Sequence, residues 1–173
     1  MTRFALVLAV VVLATNPVGT AAEPPPFAKD LTFEGEAFSL VDTGTMKARA
    51  LVMTVTIAHF AKYVARDHTE QPRFRLLLLR LGRKLSAEQL QQVFRGVVRG
   101  RSGYTDAQLN AFLALLPSAQ SGSTLRFRSN ATGKLEVFAG DTLAGSVVAP
   151  QLAAAVWEGL SGGAVTSSSV PPN

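Results

Sequence analysis

Two imidazoles, His59 and His68, are the chain's only candidates for proton transfer near neutral pH. They stand nine residues apart, one closing an apolar run and one in a polar loop, and the chain has no cysteine. A metal centre needs clustered Cys, His or carboxylate ligands, and this spacing offers no such cluster. His59 is placed to act as a general acid or base, although an edge residue satisfied by backbone or water is the plainer reading. No serine sits in a Gly-x-Ser-x-Gly frame; Ser121-Gly122-Ser123 lies in a linker. Gly-x-Gly-x-x-Gly and P-loop patterns are absent, so no nucleotide cofactor is expected. No catalytic set emerges from the residues themselves. What remains are groups able to hold a ligand: the cations Lys47 and Arg49, the hydroxyls Thr54 and Thr56, then His59 and the phenol of Tyr63.

All six fall within Met46–Tyr63, around which the chain is organised. Lys47–Ala58 reads as one long strand, with Leu51, Met53, Val55 and Ile57 on one face and Ala50, Val52, Thr54, Thr56 and Ala58 on the other. The small and hydroxylated face suits either a ligand cavity or packing beneath a helix. Upstream, Leu31–Leu40 reads as a first strand and Asp42-Thr43-Gly44-Thr45 as a turn. Downstream, Arg73–Leu81 is a strand whose unbroken Leu76–Leu79 implies cover on both faces.

Two helices follow with strong start signals. Ser86-Ala87-Glu88-Gln89 and Thr105-Asp106-Ala107-Gln108 both fit a capping box. Leu90, Val93, Phe94, Val97 and Val98 form one apolar stripe; Leu109, Phe112, Leu113 and Leu116 form the second. Three short strands come next, Thr124–Ser129, Lys134–Phe138 and Thr142–Val148, with Leu125 and Phe127 inward and Arg126 and Arg128 outward. Asn130-Ala131-Thr132 matches a glycosylation sequon, but its turn position already explains Asn130. Pro150 opens a last helix with Leu152, Val156 and Leu160 on its apolar side. Strands, two helices, a meander and a helix give an α+β fold: an antiparallel sheet with helices packed on one face.

The 173 residues make one domain. Arg3 followed by the apolar Phe4–Ala14 and the small Thr20-Ala21-Ala22 reads as a cleavable signal peptide over 1–22, which places the mature chain in the periplasm or outside the cell. The run of 11 apolar residues is short of the ~20 needed to span a membrane. A Pro-rich lead covers 23–30, the domain 31–162 and a Ser/Pro-rich disordered tail 163–173. The net charge is +5, and between Lys62 and Arg101 ten Lys/Arg face three acids. That field offers a surface for an anionic partner, or is simply a solvated face. Interleaved aromatics are too few for nucleic acid.

The layout resembles the chalcone isomerase-like family, in particular its bacterial exported branch. Three stretches carry the resemblance: Asp42-Thr43-Gly44-Thr45-Met46-Lys47, Phe74–Leu90, and Thr124–Gly159 with Gly133, Gly140 and Gly145 in the expected order. The resemblance implies an open-faced β-sandwich, with a ligand cleft between a curved sheet and its helices. Members of the family either cyclise a chalcone, as intramolecular lyases, or bind fatty acids without catalysis. In both, an Arg after the glycine turn and a hydroxyl on the long strand meet the ligand. Here those positions carry Met46 and Ala58, neither of which has the needed group. The resemblance therefore implies a non-catalytic binder of a small apolar or amphipathic, fatty-acid-like ligand. The other readings are an envelope protein using its basic surface and an isomerase using Lys47, Arg49 or His59.

Overall fold

A computed structural model describes residues 27–50, 53–66, 73–160 and 165–168. The leader 1–22, His68 and most of the 163–173 tail lie outside these residues, as do the side chains of Arg49 and Thr54. Seven strands run as an antiparallel meander in chain order: β1 (Asp30–Phe33), β2 (Glu36–Ala50), β3 (Met53–Ala65), β4 (Phe74–Leu81), β5 (Thr124–Asn130), β6 (Lys134–Ala139) and β7 (Thr142–Val148). Helices α1 (Ala87–Val97) and α2 (Asp106–Leu113) interrupt the meander after β4, and α3 (Pro150–Gly159) follows it. β8 (Val165–Ser168), within the stretch read as a tail, pairs parallel with Met46–Arg49 of β2.

The N-terminal half departs from the sequence reading in three places, all in where the chain turns. Leu31–Leu40 is not one strand. Glu34 and Gly35 both take positive φ (52° and 77°), the two-residue turn whose twist matches a hairpin, so β1 folds back onto β2. Asp42–Thr45 is not a turn but the middle of β2, paired with Lys62, Ala61, Phe60 and His59. Gly44 is needed there for space: a Cβ would stand 2.5 Å from the Phe60 ring lying across it. Finally, Lys47–Ala58 is not one strand but the two arms of the β2–β3 hairpin, with Ala50 paired to Met53. Both arms carry alternating small and β-branched residues, so the alternation runs through the reversal unmarked.

Two bulges re-aim side chains along this hairpin. Between Leu40 and Asp42 the extra residue Val41 is pushed to solvent, 54% exposed. Between Ala58 and Thr56 the extra residue is Ile57, and both Ile57 and Ala58 enter the same core.

The helices form as their caps predict. Ser86 Oγ accepts from the Gln89 amide at 3.2 Å while the Ser86 amide donates to Gln89 Oε1 at 2.9 Å. Thr105 and Gln108 repeat the arrangement at the same two distances. Against one sheet face the apolar stripes bury Phe94, Phe112 and Leu152 over Leu77, Leu79 and Phe127, with the Phe94 and Phe127 rings 4.9 Å apart. The opposite face has its own smaller core of Phe33, Phe38, Tyr63, Leu76 and Phe138. There Phe33 of β1 meets Phe138 of β6 edge-on at 4.9 Å, so the sheet curls until its first and sixth strands touch. Both faces of β4 are thus covered, as its unbroken leucines imply.

Candidate functional site

The helix-facing row of the β2–β3 hairpin decides what the fold can do. Successive cross-strand pairs along it are Met46/Ala58, Gly44/Phe60 and Asp42/Lys62. The first pair occupies the two positions that the family resemblance assigns to an arginine and a hydroxyl. They lie directly opposite each other, and each is only 1% exposed within the apolar core. The geometry that would join a cation to a hydroxyl is present, but the chemistry is not: neither side chain can accept, donate or carry charge.

Of the six residues singled out in the sequence, Lys47, Thr56, His59 and Tyr63 have described side chains, and these are distributed along the other face. Lys47 pairs with Thr56 and Arg49 with Thr54. Lys47 alternates with Met46 and so turns from the helices, half-buried, with Thr56 exposed. His59 sits half-buried between Thr45 and Arg80 on the neighbouring strands. Tyr63 is buried, and its hydroxyl donates at 3.0 Å to the Ala28 carbonyl, tying down the chain ahead of β1. Burial pushes the Tyr63 phenol up, against the pull of Arg80. No shared centre joins Lys47, Thr56, His59 and Tyr63. Among the described residues, no three His, Asp or Glu side chains gather as metal ligands.

At the far end of the helix-facing row stands a residue the sequence reading left inside a general basic field. The Lys62 side chain is 3% exposed. Its ammonium lies 3.7 Å from Asp42 Oδ2 and 5.1 Å from the centre of the Trp157 ring on α3. The Arg75 guanidinium, from β4, lies 5.6 Å from the same indole. Arg101, beyond α1, and Glu158, beside Trp157, both act on Lys62 through their charges. Burial lowers the Lys62 pKa, and Asp42 only partly offsets this. The Arg101 Nε is buried and finds no acceptor among the described residues. Nearby, Tyr104 fastens the loop by donating to the Val98 carbonyl at 2.9 Å. The signal for Lys62 was in the sequence: it continues the period-two row Ala58, Phe60, and a cation in that phase must be buried.

A second charged cluster lies on the opposite face. Arg126 and Arg128, expected to point outward, are half-buried there because the curled sheet brings β1 over them, each guanidinium stacking on Phe33. Arg128 bonds Glu136 Oε2 at 2.7 Å and Lys134 bonds Oε1 at 2.7 Å. Burial alone would raise the Glu136 carboxyl; these two bonds outweigh it and hold the group below its ordinary value. Arg126 bonds Asp141 at 2.6 Å. Asn130 Oδ1 accepts from the Thr132 and Lys134 amides at 3.1 and 3.0 Å, closing the β5–β6 turn. An open groove of about 360 Å³ between Pro117, Gln120 and Gly140 has no titratable side chain in its wall.

Neither a family model nor a curated protein sequence matches the chain. Among solved structures, the crystal structure of a fatty-acid binding protein from Arabidopsis thaliana is similar, with a TM-score of 0.60 and 14% identity over 76% of this chain and 82% of that one. The likeness establishes the chalcone isomerase-like fold: a curled antiparallel sheet backed by three helices.

Proposed function

We propose that this chain is a non-catalytic binder of a small apolar or amphipathic, fatty-acid-like ligand, in the exported branch of the chalcone isomerase-like fold found in bacteria. One observation carries the reading: Met46 and Ala58 face each other across β2 and β3, sealed in the apolar core. An isomerase needs a group there that moves a proton or steadies an oxyanion, and neither side chain has one. The fold shared with a fatty-acid binding protein supports a binder in general terms. The apolar leader at the N-terminus supports export to the periplasm or beyond. The basic stretch 62–101 favours the interaction reading less, because its cations divide between the two sheet faces: Arg75 stacks on Trp157 of α3, and Arg80 on Phe27 across the sheet.

The test is native mass spectrometry of protein purified from its host, with displacement of a fluorescent fatty acid. A bound mass released on denaturation, and displacement by long-chain acids, are the expected results. Protein that is always empty and takes up no fatty acid contradicts the reading. Turnover of a chalcone-like substrate, lost on changing Lys47, Arg49 or His59 to alanine, would restore the enzymatic one. N-terminal sequencing of the exported protein should begin near residue 23.

A further inference from the structure

We propose that the outer edge of β7 is a self-association surface, on which a second copy of this chain adds its own β7, antiparallel, about a two-fold axis at Ser146. The inference is independent of the ligand-binding reading.

Backbone polarity is the first argument. Among the described residues β7 pairs only with β6, so it ends the sheet. Ala149 donates inward to the Gly133 carbonyl at 2.9 Å. By the alternation of an antiparallel ladder, Val148 and Ser146 then turn their amides and carbonyls outward. The two ends of the sheet are finished differently. At the first, β1 is four residues long and holds Asp30 in an ion pair with Arg66, while β8 covers Met46–Arg49 of β2. At the second, the seven residues Thr142–Val148 include no charge and no proline, two of the devices that keep an edge from pairing.

Side-chain phase is the second argument. Ala144 is an extra residue between the pairs Phe138/Leu143 and Val137/Gly145. That shift puts Leu143, Ser146 and Val148 in phase with Phe138, Glu136 and Lys134, on the face away from the helices. Leu143 and Val148 are 51% and 64% exposed. Counted along the ladder, each lies two positions from Ser146, one on either side. A two-fold axis at Ser146 therefore sets Leu143 of each copy beside Val148 of the other, and lets the two Ser146 residues exchange both backbone bonds. An arbitrary extended peptide has no such built-in match, whereas the strand's own copy does. With β7 uncharged, no like charges meet directly across the seam. Seven residues a side fall short of the ~20–30 of a standard stable interface, so the dimer is reversible.

Sedimentation velocity of the full chain, from micromolar to millimolar concentration, should show monomer passing into dimer and nothing larger, as a closed two-fold contact requires. Val148→Lys, at an exposed position, should hold the chain as a monomer throughout, with circular dichroism confirming a folded variant. Because the chain has no cysteine, Ser146→Cys reports the register by itself. Residues paired across an antiparallel ladder stand about 4.5–5.5 Å apart at Cα, within disulfide reach, so this variant should oxidise to a linked dimer. Thr142→Cys, also exposed, stands about 20 Å from its own counterpart at ~3.3 Å per residue and should link far more slowly. Should Val148→Lys not fold, the two cysteine variants still decide. A monomer at every concentration, a dimer that survives Val148→Lys, or equal linking by the two cysteine variants overturns the proposal.

Discussion

On the face of the sheet away from the helices, Glu136 receives Arg128 and Lys134 at 2.7 Å each, while on the helix face Asp42 stands 3.7 Å from Lys62. Both regions lay cations over aromatic rings, Phe33 in one and Trp157 in the other. They differ in how closely the counter-charge is held. In the first, the chain supplies a carboxylate that two donors saturate, and the result is structural: it locks β5 to β6 beneath the curl of β1. In the second, Lys62 is held by a longer ion pair to Asp42, and the buried Arg101 Nε finds no acceptor among the described residues. Buried charge is expensive unless paired. The first cluster is closed by short charge-assisted bonds, whereas the second relies on a longer ion pair and on two cations stacked against one indole.

The largest expected effect breaks the completed cluster. Glu136→Gln leaves Arg128 and Lys134 half-buried without their anion. It should cost about 2–3 kcal/mol by urea unfolding, less than the ~3–5 of a fully buried pair because Lys134 remains 43% exposed. Its pH dependence has a definite sign. The folded Glu136 carboxyl lies below its unfolded value, so its contribution is present above about pH 4.3 and lost as pH falls through the folded pKa. The glutamine variant should lack that part of the acid transition.

Gly44→Ala probes the row between the two ends of the hairpin. The new methyl meets the Phe60 ring at 2.5 Å, and forcing that contact should cost about 1–3 kcal/mol while leaving the opposite face unaffected. A thermal melt that does not move would show that Phe60 swings aside freely. Next in size, Ser86→Ala and Thr105→Ala each remove a helix cap without touching either cluster and should cost about 1 kcal/mol.

The smallest expected change in stability is at Lys62. Replacing a buried charge by Met should be neutral or slightly stabilising, within ~1 kcal/mol, since the remaining Asp42 keeps contact with solvent. The folded Lys62 pKa lies below the unfolded 10.5, so between the two values the unfolded chain binds more protons and stability rises with pH. Lys62→Met should flatten that rise. A large loss of stability would instead make Lys62 part of the scaffold, as Glu136 is.

What the sequence disclosed divides along the same lines. The capped helices, the three-strand meander and the two-sided cover of β4 were legible because each is written locally, in a Ser-x-x-Gln or an unbroken run of leucines. The α+β class followed from their order. The β2–β3 hairpin was not, because its arms share one alternating pattern and its chief glycine answers to an aromatic ring rather than to a turn. Glu34-Gly35 was the overlooked local signal for the first hairpin. The Asp42–Lys62 pair was out of reach for a further reason. Whether Asp42 and Lys62 share a face depends on the Val41 bulge, and a one-residue shift in register would have put them on opposite sides. Tyr63 shows the reverse case, a residue suited to ligand contact by type whose hydroxyl is spent on the Ala28 carbonyl.

The contrast between the tightly and the loosely paired charge cluster is tested most directly by nuclear magnetic resonance of the lysine ε-methylene groups, titrated with pH. The account predicts that Lys62 ionises below the ordinary lysine range, because burial outweighs the partial offset from Asp42. A Lys62 resonance that titrates in the ordinary lysine range or above it would contradict the account.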